Sequence, residues 1–133
     1  MPAAVLDAFV EAAGQSVSLE HLQAAASKRI AGHTGTEAAL VTSGAAAALT
    51  LAAAAIMTDH DLGRMERLPQ TNGFANQFIV AREQRSGYDH AVRAAGAVLV
   101  EVGFNEIVSN AGVRRTETWE YEAAIGPGTA GVL

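Results

Sequence analysis

The sequence predicts an α/β fold in which a parallel sheet is flanked by helices, and three observations predict it. Short apolar runs alternate with segments of helical periodicity that are long enough to connect parallel strands. Alanine is abundant and aromatic residues make up only 5% of the chain, which favours helices packed closely on a sheet over an all-β sandwich. The 133 residues correspond to one domain or to a piece of one.

Two helices are predicted in residues 1–36. The segment PAAVLDAFVEAA (2–13) places its large apolar side chains at helical spacing, and Gly14 follows it as a stop. The second helix is predicted to begin after Ser18, a favourable N-cap residue, and to end at the glycines of AGHTG (31–35).

The stretch LVTSGAAAALTLAAAAIM (40–57) contains no charged residue. It allows three interpretations: a membrane span, a buried core helix, or a phosphate-binding turn that leads into a helix. Alanine contributes little to membrane insertion and no cluster of Lys or Arg flanks the stretch, so a membrane span is disfavoured. We expect a buried strand in EAALVTSG (37–44) that ends at the Ser43–Gly44 pair, a tight turn, and a helix that opens at about Gly44.

The second half of the chain alternates between strand and helix signals. Residues 58–77 are polar and interrupted by Gly and Pro, which predicts a long loop with one helical turn at 62–68. The later elements are predicted as a strand at 78–81, a helix in YDHAVRAAG (88–96), a strand in AVLVEVG (97–103), a short helix in RRTETWEYEAAIG (114–126) capped by Thr116 or Thr118, and an apolar strand in TAGVL (129–133).

The composition argues against several functional classes. The net charge is −5 and the basic residues are scattered, so no basic surface for a nucleic-acid partner is predicted. The chain has no cysteine, which rules out disulfides, thiolate metal sites and a thiol nucleophile within it. The N-terminal segment carries Asp7 and Glu11 and lacks the basic and apolar regions of a signal peptide, so we expect a cytoplasmic protein.

The turn that precedes the alanine-rich helix is the leading candidate site. In open parallel sheets, ligands bind outside the carboxyl ends of the strands. The hydroxyl groups of Thr42 and Ser43 can donate, Gly44 lets the backbone come close to a ligand, and the N–H groups from Ala45 onward favour an anion. This pattern predicts a phosphate site, although Ser-Gly before a helix is also an ordinary N-cap.

Two other groups of polar residues allow more than one interpretation. Asp59–Asp61 contains three side chains of metal-ligand type, but consecutive residues do not easily face one ion, which favours a polar loop and no metal site. Tyr88, Asp89 and His90 could supply an acid or a base near the site. Alternatively, Asp89 caps the following helix and His90 packs.

Four segments in one order resemble a known family of enzymes. They are EAALVTSGAAAALTLAAAA (37–55), RLPQTNG (67–73), QRSGYDHAVRAAGAVLVEVG (84–103) and YEAAIGPGTAGVL (121–133). Together they are similar to pyridoxal-phosphate enzymes of fold type I, in the group related to selenocysteine synthase that includes D-glucosaminate-6-phosphate ammonia-lyase-like proteins. The resemblance covers nearly the whole chain.

The resemblance implies which residues contact the cofactor. It implies that the turn of Ser43, Gly44 and Ala45 holds the phosphate of pyridoxal 5'-phosphate, with Thr42 beside it. In this family a His-Arg pair commonly precedes GYDHA, and a residue of that loop packs against the pyridine ring. Here the pair is 84–85, Gln-Arg, so the resemblance implies that the planar group of Gln84 or Arg85 takes this place, with Tyr88, Asp89 and His90 close to the site.

The resemblance also implies what this chain does not carry. In the family, a lysine forms a Schiff base with the cofactor and an aspartate pairs with the pyridine nitrogen, both downstream of the matched segments. The only lysine here, Lys28, is expected to be a surface residue, so no catalytic residue is assigned. We expect residues 1–133 to be part of a pyridoxal-phosphate-binding large domain, with N-terminal helices in 1–36 and βα units in 37–133.

The full-length protein is expected to be a cytoplasmic, homo-oligomeric lyase or transferase. The resemblance implies a small-molecule substrate, an amino acid or an amino sugar acid, and no nucleic-acid or membrane partner. The alternative is a non-catalytic α/β module that binds a phosphate-bearing ligand or a protein partner.

Overall fold

The computed structural model describes residues 1–104 and 115–133, and the chain divides into two compact units, Met1–Thr42 and Ser43–Leu133. A short 3-10 turn at Arg82–Gln84 follows the first strand. The helices and strands are α1 (Ala3–Ala13), α2 (Leu19–Thr34), α3 (Ala45–Thr58), α4 (Leu62–Arg67), β1 (Gln77–Ala81), α5 (Asp89–Ala94), β2 (Val98–Val102), α6 (Thr118–Ala124) and β3 (Thr129–Val132).

The first unit consists of the two predicted helices and the segment that follows them. Gly14 forms the C-cap of α1, and Ser18 precedes α2 as its N-cap residue. Gly35 ends α2 in a left-handed conformation, with φ 69°, and its N–H donates to the Ala31 carbonyl. Both helices are confirmed, and neither buries a residue.

The strand predicted before the Ser43–Gly44 turn is wrong, because residues 37–42 form no strand. Side chains of α2 supply the hydrogen bonds that a neighbouring strand would supply. The Gln23 amide donates to the Val41 carbonyl at 2.7 Å and accepts from the Val41 N–H at 3.2 Å, and Ser27 Oγ accepts from the Ala39 N–H at 2.9 Å. Leu40 is 63% exposed, so this apolar run is not buried as predicted.

The second unit contains a parallel sheet of three strands in the order β2-β1-β3 among the described residues. Ile79 in the central strand lies opposite Val100 on one side and Val132 on the other. Helices flank this sheet, so the predicted α/β class is confirmed. The residues of β1 are nearly all buried, as expected of a central strand in a covered parallel sheet.

The core of this unit lies between the sheet and the helices α3 and α5. Phe78 from β1, Met57 from α3 and Val92 from α5 pack together with small alanines. Thr50 Oγ1 also donates to the Ala91 carbonyl at 2.9 Å, which ties α3 to α5. Among the described residues, no helix has both the length and the apolar character that crossing a membrane requires.

The short helices α4 and α6 follow their predicted positions, and each begins at an acidic cap residue. Asp61 caps α4 and accepts from the Arg64 N–H at 3.0 Å. Glu117 caps α6, not Thr116 or Thr118, and forms a reciprocal capping box with Glu120. Residue 114 of the predicted segment lies outside the described part of the chain.

Candidate functional site

The carboxyl ends of the strands meet at one edge of the sheet because the strands are parallel. Ala81 at the end of β1 pairs with Val102 of β2, and Ile79 pairs with Val132 of β3. The chain leaves β1 through residues 82–88, where several candidate residues lie. Ligands of open α/β sheets bind at this kind of edge, so the candidate site lies here.

The opening of α3 is the turn for which the sequence predicts a phosphate site. Gly44 precedes the helix with φ 149° and ψ 174°, a conformation suited to glycine, and its carbonyl accepts from the Ala48 N–H at 3.0 Å. The first N–H groups of a helix, from Ala45 onward, have no partner within the helix and favour negative charge. Ser43 belongs to the same unit and Thr42 ends the first unit, and the roles of Thr42, Ser43, Gly44 and Ala45 in binding a phosphate stay predictions.

A pocket of about 240 Å³ opens at the carboxyl edge of the sheet. Leu49 lies four residues beyond the start of α3, so the pocket begins roughly 6 Å along the helix axis from the turn. The apolar walls are formed by Leu49, Val80, Val92 and Leu133, and the polar wall by Gln84, Ser86, Tyr88 and Asp89. The structure therefore brings three predicted residues, Gln84, Tyr88 and Asp89, to one pocket.

Arg85 lies outside this set of lining residues because its guanidinium is held by two carboxylates. Its Nε donates to Asp89 and its Nη1 to Glu101 of β2. Arg82 pairs with the same Glu101, with 3.2 Å between Nε and Oε2. Gln84 thus lines the pocket, while its neighbour Arg85 links the loop to β2 and α5.

Asp89 is buried at the first residue of α5, with 7% of its surface exposed. The hydrogen bond from Arg85 is the main reason that the pKa of this carboxyl is lowered; burial opposes the shift, and the Ser86 N–H supports it. The same hydrogen bond raises the pKa of the Arg85 guanidinium. Both groups are therefore charged at neutral pH and neutralise each other.

The alternative roles considered for Asp89 and His90 are both wrong. The N-cap position of α5 is Tyr88, and Asp89 follows it inside the helix. His90 is exposed rather than packed, and its Nδ1 lies 3.0 Å from Nη2 of Arg93. It is not among the residues that line the pocket.

Sequence reasoning missed three residues that shape this edge. Ser86 lines the pocket, and its Oγ accepts from the Tyr88 N–H at 3.2 Å; its place between Arg85 and GYDHA was the available signal. Glu83 accepts from both the N–H and the hydroxyl of Thr116, each at 2.7 Å, and so joins the loop to the start of α6. No local pattern predicts this pair, since the two residues are 33 positions apart.

The remaining candidates lie away from the pocket. Asp61 caps α4, and His60 is fully exposed beside Asp59. In the described ranges 1–104 and 115–133, no three side chains of metal-ligand type lie close together. Lys28 is exposed on α2. The segment GPGTAG (126–131) fits the pattern GxGxxG, but it leads into β3 and lacks the strand-turn-helix context of a dinucleotide site.

Two characterised enzymes are similar to this chain in sequence. D-glucosaminate-6-phosphate ammonia lyase of Salmonella typhimurium is 29% identical over 97% of the chain, which spans 34% of that enzyme. The 5'-C-glycyluridine monooxygenase-decarboxylase of a Streptomyces species is 33% identical over 88% of the chain, which spans 32% of it. A comparison with models of protein families gives no match.

A solved structure shows the same relationship in three dimensions. The structure of a D-glucosaminate-6-phosphate ammonia-lyase matches 99% of this chain with a TM-score of 0.85 and 28% sequence identity. The match covers 35% of the solved chain. The chain is therefore homologous to about a third of a larger enzyme and has the fold of that portion.

Proposed function

We propose that this chain is the N-terminal part of a pyridoxal-phosphate-dependent lyase or transferase, and that it supplies the turn that binds the cofactor phosphate. The whole protein would act on an amino acid or an amino sugar acid. The observation that carries the proposal is the opening of α3 near a pocket at the carboxyl edge of the sheet. It occurs in a chain of which 99% matches part of an ammonia-lyase structure.

The phosphate end of the cofactor suits the opening of α3. A helix of 14 residues concentrates partial positive charge at its first N–H groups, and Gly44 allows a ligand to approach the backbone. Ser43 is exposed and carries a hydroxyl that can donate to an oxyanion. These groups attract a phosphate without a basic side chain.

The ring end suits the pocket. Its apolar walls, Leu49 and Val92 among them, offer contact surface to a flat ring, and Gln84, whose side chain ends in a planar amide, is one of the residues that line the space. Arg85 and Asp89 form an ion pair with each other, so Gln84 and Tyr88 are the polar residues proposed to orient the ring. When bound, pyridoxal phosphate supplies an electron sink that stabilises a carbanion next to the substrate nitrogen.

Lys28 is assigned no part in holding the cofactor, because it lies on α2 and is not among the residues that line the pocket. We further propose a cytoplasmic homo-oligomer for the whole protein. The first unit supports an association surface, since Phe9 and Val10 of α1 are 69% and 64% exposed. This exposed apolar face equally supports the rival function, a non-catalytic module that binds a protein partner.

The test is a calorimetric titration of the chain with pyridoxal phosphate and, separately, with pyridoxal. We expect Ser43→Ala to weaken binding of pyridoxal phosphate about tenfold, since a hydrogen bond to a charged group is lost, and to leave pyridoxal binding unchanged. Ser16→Ala, in an exposed segment outside any helix, is the matched control and should bind both ligands like the original chain.

Two results would contradict the proposal. Equal binding of pyridoxal phosphate by Ser43→Ala and by the original chain would remove the turn as the phosphate site. No binding of either ligand, with an unchanged circular dichroism spectrum, would favour the non-catalytic module.

A further inference from the structure

A second pocket, of about 400 Å³, lies away from the carboxyl edge, next to the loop that leads into the amino end of β1. One wall is the cap and helix α4, with Asp61, Gly63, Arg64 and Arg67. The other wall is the loop 72–74. None of these residues is used by the proposed cofactor site, so a ligand bound in this pocket would be distinct from that cofactor.

Two arginines of this pocket share one aromatic ring. The guanidinium carbon of Arg64 lies 5.3 Å from the centroid of Phe74, and that of Arg67 lies 4.8 Å from it. Cation–π contacts of this kind hold both side chains in place. They also keep two like charges close together, which is unfavourable unless negative charge is nearby.

The negative charge on this surface compensates only one of the two arginines. Arg64 pairs with Asp61, with 3.4 Å between Nε and Oδ2. Arg67 donates from Nη2 to the Asn72 carbonyl at 2.7 Å, and within the described part of the chain no carboxylate lies within ion-pair distance of it. A guanidinium has five N–H donors, so Arg67 keeps donors that this single bond does not use.

We propose that this pocket binds a small anionic molecule through a phosphate or carboxylate group held by Arg64 and Arg67. The planar donors of arginine suit oxyanions of both kinds, and stacking on Phe74 fixes the donors before the ligand arrives. The volume of about 400 Å³ leaves room for a small molecule attached to that group. This proposal does not depend on the proposed cofactor.

The test follows backbone amide NMR signals of the chain during titration with inorganic phosphate and with citrate at constant ionic strength. We expect saturable shifts at Arg64, Arg67 and Gly73 and about tenfold weaker binding in Arg67→Ala. Arg64→Gln is the second variant, because it keeps the side-chain length and removes the charge. Preference for one titrant identifies phosphate or carboxylate as the preferred group.

Two control variants show whether the shifts arise from binding in this pocket. Arg29→Ala, on the exposed surface of α2, and Ser43→Ala should both leave the shifts at Gly73 unchanged. Shifts that persist at full strength in Arg64→Gln and Arg67→Ala would overturn the proposal, and so would shifts that do not saturate. A shift lost only in Ser43→Ala would mean that phosphate binds at the α3 turn instead.

Discussion

The two units of this chain differ in what stabilises them. In the first unit, α1 and α2 form from local signals, yet neither helix buries a residue. In the second, β1 pairs with β2 and β3, which lie far from it in the chain, and the sheet packs on α3 and α5 around a core that contains Phe78 and Val92. A helix of 11 residues is marginal by itself in water, and α1 gains no stabilisation from burying a residue in the described structure.

The two units also differ in whether they contain a proposed ligand pocket. Both proposed ligand pockets are built entirely from the second unit, where packing fixes the side chains that line them. The first unit offers exposed apolar surface instead. The same substitution, made once in each unit, therefore tests whether only the second unit has a core.

Phe78→Ala and Phe9→Ala form such a matched pair and should give the largest contrast. Phe78 is 2% exposed in the core, so its truncation should cost about 3–5 kcal/mol of the free energy of unfolding. Phe9 is 69% exposed, and its truncation should change this free energy by less than about 0.5 kcal/mol. Urea denaturation followed by circular dichroism measures both; similar losses would show that α1 packs as a core helix.

The same contrast accounts for which features the sequence predicts. Helix boundaries were predictable because they depend on neighbouring residues: Gly35 ends α2, and Gly44 precedes α3. The β strands of the second unit were predictable because their apolar runs are bounded by glycine and polar residues. The run that ends at Val41 has the same appearance, but Gln23 satisfies its backbone groups, and no local pattern reveals that.

The candidate site divides in a similar way. The α3 turn and Tyr88 were predicted from the residues themselves, because each lies next to the start of a helix, whereas Gln84 was predicted only through the family resemblance. The separation of Gln84 from Arg85 was not predicted, because it depends on Glu101, which is 16 residues away and lies on another strand. Long-range ion pairs of this kind are set by sheet register, which only the folded chain fixes.

A second pair of variants tests packing at glycines and should have a smaller effect. Gly96 and Gly35 both have positive φ, 99° and 69°. A Cβ at Gly96 would collide with the Pro69 carbonyl and approach Thr71 Cγ2 to 2.7 Å, whereas a Cβ at Gly35 meets nothing within 4 Å. Backbone strain alone should lower the free energy of unfolding of Gly35→Ala by about 1 kcal/mol. Strain together with overpacking should lower that of Gly96→Ala by roughly 3 kcal/mol.

Thermal denaturation of both glycine variants provides the measurement. Equal decreases in melting temperature would mean that the backbone conformation sets the cost and that the loop at Pro69 yields to the added methyl group. A much larger decrease for Gly96→Ala would locate tight packing in the second unit.

The smallest expected effect on stability comes from the ion pair of Arg85 and Asp89, which links the pocket loop to α5. The pKa of the Asp89 carboxyl is lowered in the fold, chiefly by the hydrogen bond from Arg85. Its contribution to stability is therefore fully present above the ordinary aspartate pKa of about 3.9 and is lost as the pH falls through the lower folded value. The pKa of Arg85 is raised in the fold, so the contribution of its charge to stability is lost only at strongly alkaline pH.

Unfolding curves of Asp89→Asn between pH 7 and pH 2 examine this pair. We expect the variant to be less stable than the original chain at pH 7 and the difference to shrink below about pH 4, because the original carboxyl then becomes protonated as well. Asp7→Asn, the same exchange on exposed α1, should leave stability at pH 7 unchanged. A constant difference across the pH range would mean that Asp89 acts through its shape and its hydrogen bonds, and that charge does not fasten the loop.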